Sequence, residues 1–191
     1  MRQALFSRRQ FTLGIAALPL AACGTAPEKQ ALAPQSEIRR LEAAILAMRE
    51  DVDPEEAARA ASLAFGHTRN LAIQYEINDP PLIHNTKVNM GLKPRGLCWH
   101  WAEDMENRLN AEGFQTLRMH RAIAEGRGVR IDHSTAIISA AGQQYSQGVV
   151  LDPWRNGGEL FFAPVAEDTR YFWEAREVVL GRRRDLRALA G

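Results

Sequence analysis

The chain divides near its midpoint by the period of its apolar residues. In the first half they recur at steps of three and four. Ile38, Leu41, Ile45 and Met48 fall on one face of a helix that Ser36 can cap. A second helix is announced at Asp53-Pro54-Glu55-Glu56: a capping side chain, proline at the first helical position and two acids near the positive end of the helix dipole. It runs past Ala61 and Phe65 towards Tyr75, with Gly66 as its weak point. Asn78-Asp79-Pro80-Pro81 stops it, because proline pushes the preceding residue out of helical backbone. A third helix starts near Cys98 and ends before Gly113, with Trp99, Ala102, Met105 and Leu109 on its buried side.

After Gly113 the period shortens. Leu117 and Met119 alternate with polar neighbours, and residues 132–139, 148–152 and 159–163 are short β-prone runs bounded by glycines. Helices first and strands afterwards predict an α+β domain in which N-terminal helices pack on an antiparallel sheet. Residues 36–191 form this one domain, with no internal repeat. Its last charged run, Arg182-Arg183-Arg184-Asp185-Leu186-Arg187, reads as a solvated helix face.

A basic start precedes Phe11 to Ala22, a stretch without a charge that leads to Leu20-Ala21-Ala22-Cys23. Residues 1–22 therefore have the layout of an export signal, too short for the roughly 20 apolar residues that span a bilayer. Leu20 to Cys23 resembles the bacterial lipobox, which implies acylation of Cys23 and a membrane anchor there. Ser7-Arg8-Arg9-Gln10-Phe11-Thr12-Leu13 resembles the twin-arginine signal, whose pathway carries folded proteins. Residues 23–35, poor in large apolar side chains, read as the lipidated tether. The expected location is the cell envelope, on the membrane face towards the periplasm. Removal of the signal takes away Arg2, Arg8 and Arg9 and no acid, so 24 basic residues fall to 21 against 23 acidic ones, a net charge of −2. That balance speaks against nucleic acid as a partner.

Beyond Cys23 the only cysteine is Cys98, in Gly96-Leu97-Cys98-Trp99-His100-Trp101-Ala102. An unpaired thiol in an oxidising compartment suggests use. At a helix start its thiolate is favoured, and an imidazole nearby can take the proton. A carboxylate on the far side of that imidazole would hold its tautomer and orientation. His133 and Asp152 can supply those groups. Pairing them directly across a hairpin centres the loop on Gly142 and Gln143, and glycine at the first loop position suits a tight type II′ turn. Opposed residues share a face with Cβ atoms about 4.5–5.5 Å apart.

Gly96, Cys98, Trp99 and Ala102 on a helix, His133 opening a strand, and Asp152 before Pro153-Trp154 resemble the transglutaminase-like branch of the papain superfamily over about residues 90–165. The resemblance implies a papain/transglutaminase-like core and a Cys98–His133–Asp152 catalytic triad. Amide hydrolysis or acyl transfer on a peptide, a protein side chain or a cell-wall peptide would pass through a thioester. Trp99 and Trp154 would line the substrate cleft. The Cys98 N–H is one natural oxyanion donor. Papain-type enzymes add a glutamine six residues before the cysteine, where this chain has Leu92. Transglutaminases often use an upstream aromatic residue, and no tryptophan precedes Trp99. Asn85 and Asn89 are the remaining polar candidates.

The plainer reading is a buried cysteine among tryptophans, a satisfied structural histidine and a non-catalytic envelope lipoprotein that binds a peptide or protein in the same cleft. Cys98 and His100 are two apart on a helix and point apart, so neither a metal nor a cofactor is expected. His67, His84 and His120 have no partner evident in the sequence.

Overall fold

Two pairs of residues, each ending in a proline, open helices in the first half. Asp53 precedes Pro54 and accepts hydrogen bonds from the Glu55 and Glu56 N–H groups at 2.8 and 3.0 Å. Pro80 and Pro81 do the same work through backbone shape alone. The computed structural model describes residues 33–126, 128 and 131–190. The expected export signal, the expected acylation site Cys23 and the expected tether up to residue 32 lie outside the described residues.

Helix α1 spans Gln35–Leu46. Its cap is Pro34, whose carbonyl accepts from the Glu37 N–H at 2.8 Å, and Ser36 lies inside the first turn instead of capping it. Helix α2, Pro54–Gln74, is continuous through Gly66, where an added Cβ would meet nothing within 4 Å. The stop at Asn78–Pro81 doubles as the start of an unforeseen helix, α3, Pro81–Asn89. Only its His84 is buried while Leu82 and Ile83 are exposed, so no apolar stripe marks it in the sequence.

Helix α4 spans Cys98–Asn110, and its buried face is rotated from the expected one. Trp101 is 1% exposed and Trp99 is 45% exposed. Trp101 wins the interior because its indole N–H donates to the Gly96 carbonyl at 3.1 Å and its ring meets Tyr75 edge-on at 4.7 Å. Ala102, Met105 and Leu109 are buried as expected.

Strands β1 (Leu117–Ala124), β2 (His133–Ala140), β3 (Val149–Asp152), β4 (Phe161–Pro164) and β5 (Glu174–Ala175) form one antiparallel sheet in the order β4-β3-β2-β1-β5. Helix α5, Arg176–Ala190, follows β5 directly. The fold is α+β: five helices and a five-stranded antiparallel sheet among the described residues.

Both faces of the sheet are covered. Leu117, Met119, Ala136, Ile138, Val149 and Leu151 join α1, α2 and α4 in an aliphatic core. On the other face Ala122, Ala124, Ile137 and Val150 pack under Trp173, with Tyr171 and Phe161 beside it. This two-sided cover explains why every residue of β2 is buried. Among the described residues no helix is long and apolar enough to cross a membrane.

Candidate active site

Gly96 prepares the start of α4. Its φ is +121°, and a Cβ there would lie 2.3 Å from His84 Nε2, so glycine alone fits. His100 then accepts from the Gly96 and Leu97 N–H groups at Nδ1, at 3.2 and 3.1 Å. Burial lowers its basicity, which suits an imidazole acting as a neutral acceptor. Half of a capping box is thereby built from a histidine. Cys98 becomes the first helical residue, whose N–H has no intrahelical acceptor. Its thiol is half-buried and 4.0 Å from the Asp132 carbonyl.

The tight Gly142–Gln143 loop does not form. Gly142 has φ +84°, the Gln143 N–H returns to the Ala140 carbonyl at 3.0 Å, and a 3₁₀ turn at Tyr145–Gln147 lengthens the connection. Ala136 therefore pairs with Leu151 and Ile138 with Val149, a register two residues from the one expected. A slip of one residue would have sent His133 and Asp152 to opposite faces; a slip of two keeps them on the same face as diagonal neighbours. The His133 Nε2–H donates to Asp152 Oδ2 at 2.6 Å, and both side chains are 1% exposed.

Behind Asp152 lies a chain of groups that the sequence reading missed. Arg155 donates to Asp152 from its backbone N–H at 3.1 Å and from Nε at 3.0 Å. Its two terminal nitrogens grip Asp168 at 3.1 and 2.6 Å. Asp168 also accepts from Trp173 Nε1 at 2.9 Å and from the Arg170 N–H at 3.2 Å. The Arg155 guanidinium sits 3.7 Å from the centre of the Phe161 ring. The imidazole of His133 is walled by Trp154 and Tyr171, with ring centres 4.6 and 4.5 Å away. Arginine three residues after the aspartate was visible in the sequence. Nothing in the sequence tied Asp168 or Trp173 to it.

Burial would push the His133 imidazole down. The Asp152 carboxylate outweighs burial and the Cys98 thiol adds to it, so the imidazole is pushed up to about 9. Burial would raise Asp168, and its bonds from Arg155 and Trp173 hold it below the ordinary carboxylate value. With Nε2 committed to Asp152, the remaining ring nitrogen Nδ1 is buried and has no hydrogen-bond partner among the described residues.

In front of the imidazole is a cavity of about 340 Å³ that reaches both Cys98 and His133. Trp99 and Glu103 of α4, Arg121 of β1, and Arg176 and Arg183 of α5 contribute to its wall. The basic run is thus more than a solvated face, since Arg183 bonds Asp132 at 2.7 Å and Glu125 at 2.9 Å at the cavity rim. Trp99 lines the cavity. Trp154 does not; it lies behind it, 7% exposed, and donates to Asn85 Oδ1 at 3.0 Å. Asn85, Asn89 and Leu92 are likewise outside the cavity wall.

The other histidines have structural partners: His67 with the Asp104 carbonyl at 3.1 Å, His84 with the Arg95 carbonyl at 2.8 Å, and His120 with Ser139 Oγ at 2.8 Å. Among the described residues no group of three or more histidine, cysteine, aspartate or glutamate side chains is placed to hold a metal ion. Comparison with protein-family models, with curated proteins and with solved structures yields no match to this chain.

Proposed function

We propose that the protein is a thiol-dependent amide hydrolase or acyltransferase of the papain/transglutaminase type, with Cys98 as nucleophile, His133 as proton carrier and Asp152 as the group that orients His133. The observation that carries this reading is the division of labour on one ring. Nε2 is fixed by Asp152 at 2.6 Å, while Nδ1 is unpartnered beside a half-buried thiol at the start of α4.

The chemistry balances with these groups alone. His133 takes the thiol proton, and sulfur attacks the amide carbonyl carbon to form a tetrahedral oxyanion. The Cys98 N–H, free of an intrahelical acceptor at the helix start, would donate to that oxyanion. The C–N bond breaks, and the imidazolium gives its proton to the leaving amine, leaving a thioester on Cys98. Water or a second amine then attacks while His133 takes its proton. The C–S bond breaks, and the sulfur recovers the proton. The substrate class is a peptide, a protein side-chain amide or a cell-wall peptide. Acylation at Cys23 would hold the domain on the envelope membrane.

Alkylation of Cys98 by iodoacetamide tests the site. A free thiol is almost wholly protonated at pH 6, whereas Cys98 should react readily there because the protonated His133 ring favours the anionic sulfur. His133→Ala should slow the reaction at pH 6 by about a hundredfold. If Cys98 reacts only in denaturant, the proposal fails and the cysteine is structural.

A further inference from the structure

Among the described residues three arginines face the cavity, and they differ in what they already hold. Arg183 is engaged by Glu125 and Asp132. Arg121, 7% exposed, donates to the Trp99 carbonyl at 3.1 Å and lies 3.5 Å from Glu106. Arg176, the half-buried first residue of α5, has no hydrogen bond or ion pair among the described residues. Two guanidinium groups in one small cavity repel each other. Burial lowers the basicity of Arg121, and Arg176 adds to that effect against the pull of Glu106. Among the described residues Glu103 and Asp132 are the acids of the wall against three arginines, and His133 with its raised basicity adds to the positive side, so the wall is net basic.

We propose that Arg176, with Arg121 beside it, binds a free carboxylate of the amide substrate, so that the preferred substrate is a short peptide with a carboxylate a few bonds from the bond broken. This rests on the reading of Cys98 as nucleophile, because Cys98 and Arg176 share the same cavity. A net basic wall suits an anion, and a carboxylate is the anion that a peptide substrate itself carries. A planar guanidinium can meet the two carboxylate oxygens with two parallel N–H bonds. A volume of about 340 Å³ admits a short peptide end. Trp99, half exposed at the wall, offers its ring to the apolar part of the same ligand.

Two reagents that differ in charge read the site on the full chain. Iodoacetate and iodoacetamide both alkylate a thiolate with loss of iodide, and only iodoacetate carries a carboxylate. With rates normalised to a small free thiol and read at the Cys98 peptide by mass, iodoacetate should be favoured by about tenfold, with saturation. Arg176→Gln should remove that preference, read as the ratio of the two rates so that any change in the sulfur's own reactivity cancels, with an unchanged circular dichroism spectrum reporting intact folding. An undiminished preference in Arg176→Gln would overturn the proposal, since the attraction would then come from the other cations of the wall, Arg121, Arg183 and His133.

Calorimetric titration of Cys98→Ala with N-acetyl-dialanine and with its C-terminal amide reads the pocket without sulfur chemistry. The acid should bind about tenfold tighter, and Arg176→Gln in the same background should abolish the difference. Equal binding of acid and amide overturns the carboxylate site even if alkylation is normal. An inert Cys98 with the acid still preferred overturns the nucleophile and leaves the carboxylate site standing.

Discussion

The two sides of the His133 ring are built on opposite principles. Behind it, Asp152, Arg155 and Asp168 alternate in charge, are almost wholly buried and bond one another at 2.6 to 3.1 Å, with Trp173 closing the row. In front of it, Nδ1 is unpartnered, Cys98 is half-buried and Arg176 has no ion-pair partner among the described residues. A charge removed from water is costly unless its partners are already in place. The rear satisfies that condition within the protein and so holds the ring still. On the proposed reading, the front leaves it to be satisfied by what binds there. A site that performs proton transfer needs both: one nitrogen that does not move, and one free to exchange its proton.

The largest test of this contrast is Arg155→Met. It would leave Asp152 and Asp168 buried without their shared cation, at a cost of about 3–5 kcal/mol, read from the urea denaturation midpoint at unchanged slope. A loss below about 1 kcal/mol would show that the rear row is no stronger than a surface ion pair and would break the comparison.

A pH titration of stability sharpens it. His133 binds its proton more tightly when folded, with an imidazole raised from 6.5 to about 9. Its contribution is therefore complete below about pH 6.5 and lost as the pH rises through about 9, with a slope approaching ~1.4 kcal/mol per pH unit. Burial lowers His67, His100 and His120, so their contributions are complete above about pH 6.5 and lost as the pH falls. Chemical denaturation across pH should show maximum stability near 6.5. His133→Gln should flatten the alkaline limb and leave the acid limb unchanged; a limb that persists in that variant belongs to another group.

The smallest effect is expected at Arg182, which also bonds two carboxylates, Glu174 and Glu125, but in the open. Water and salt screen such pairs. Arg182→Ala should leave the denaturation midpoint almost where it was. A shift comparable to that of Arg155→Met would mean that burial is not what separates the two networks.

The α2 cap at Asp53, the α4 start at Cys98, the run of helices before strands and the shared face of His133 and Asp152 were all legible in the chain. Each rests on interactions within a few residues or on the parity of strand positions, which survived a register error of two. Helix α3 was hidden because it buries one residue and leaves no stripe. The choice of Trp101 over Trp99 for the interior depended on Tyr75 and on the Gly96 carbonyl, groups that two other segments bring to it. Arg155, Asp168 and Trp173 meet because the segment after β3 folds back over the sheet, and Arg176 shares a cavity with Cys98 because β5 pairs with β1 and brings α5 to it. Sequence alone determined the local caps and the alternation of faces, since those are set by backbone geometry and nearby side chains. Which charges share a low-dielectric interior was decided only by tertiary structure, because that depends on contacts between residues far apart in the chain.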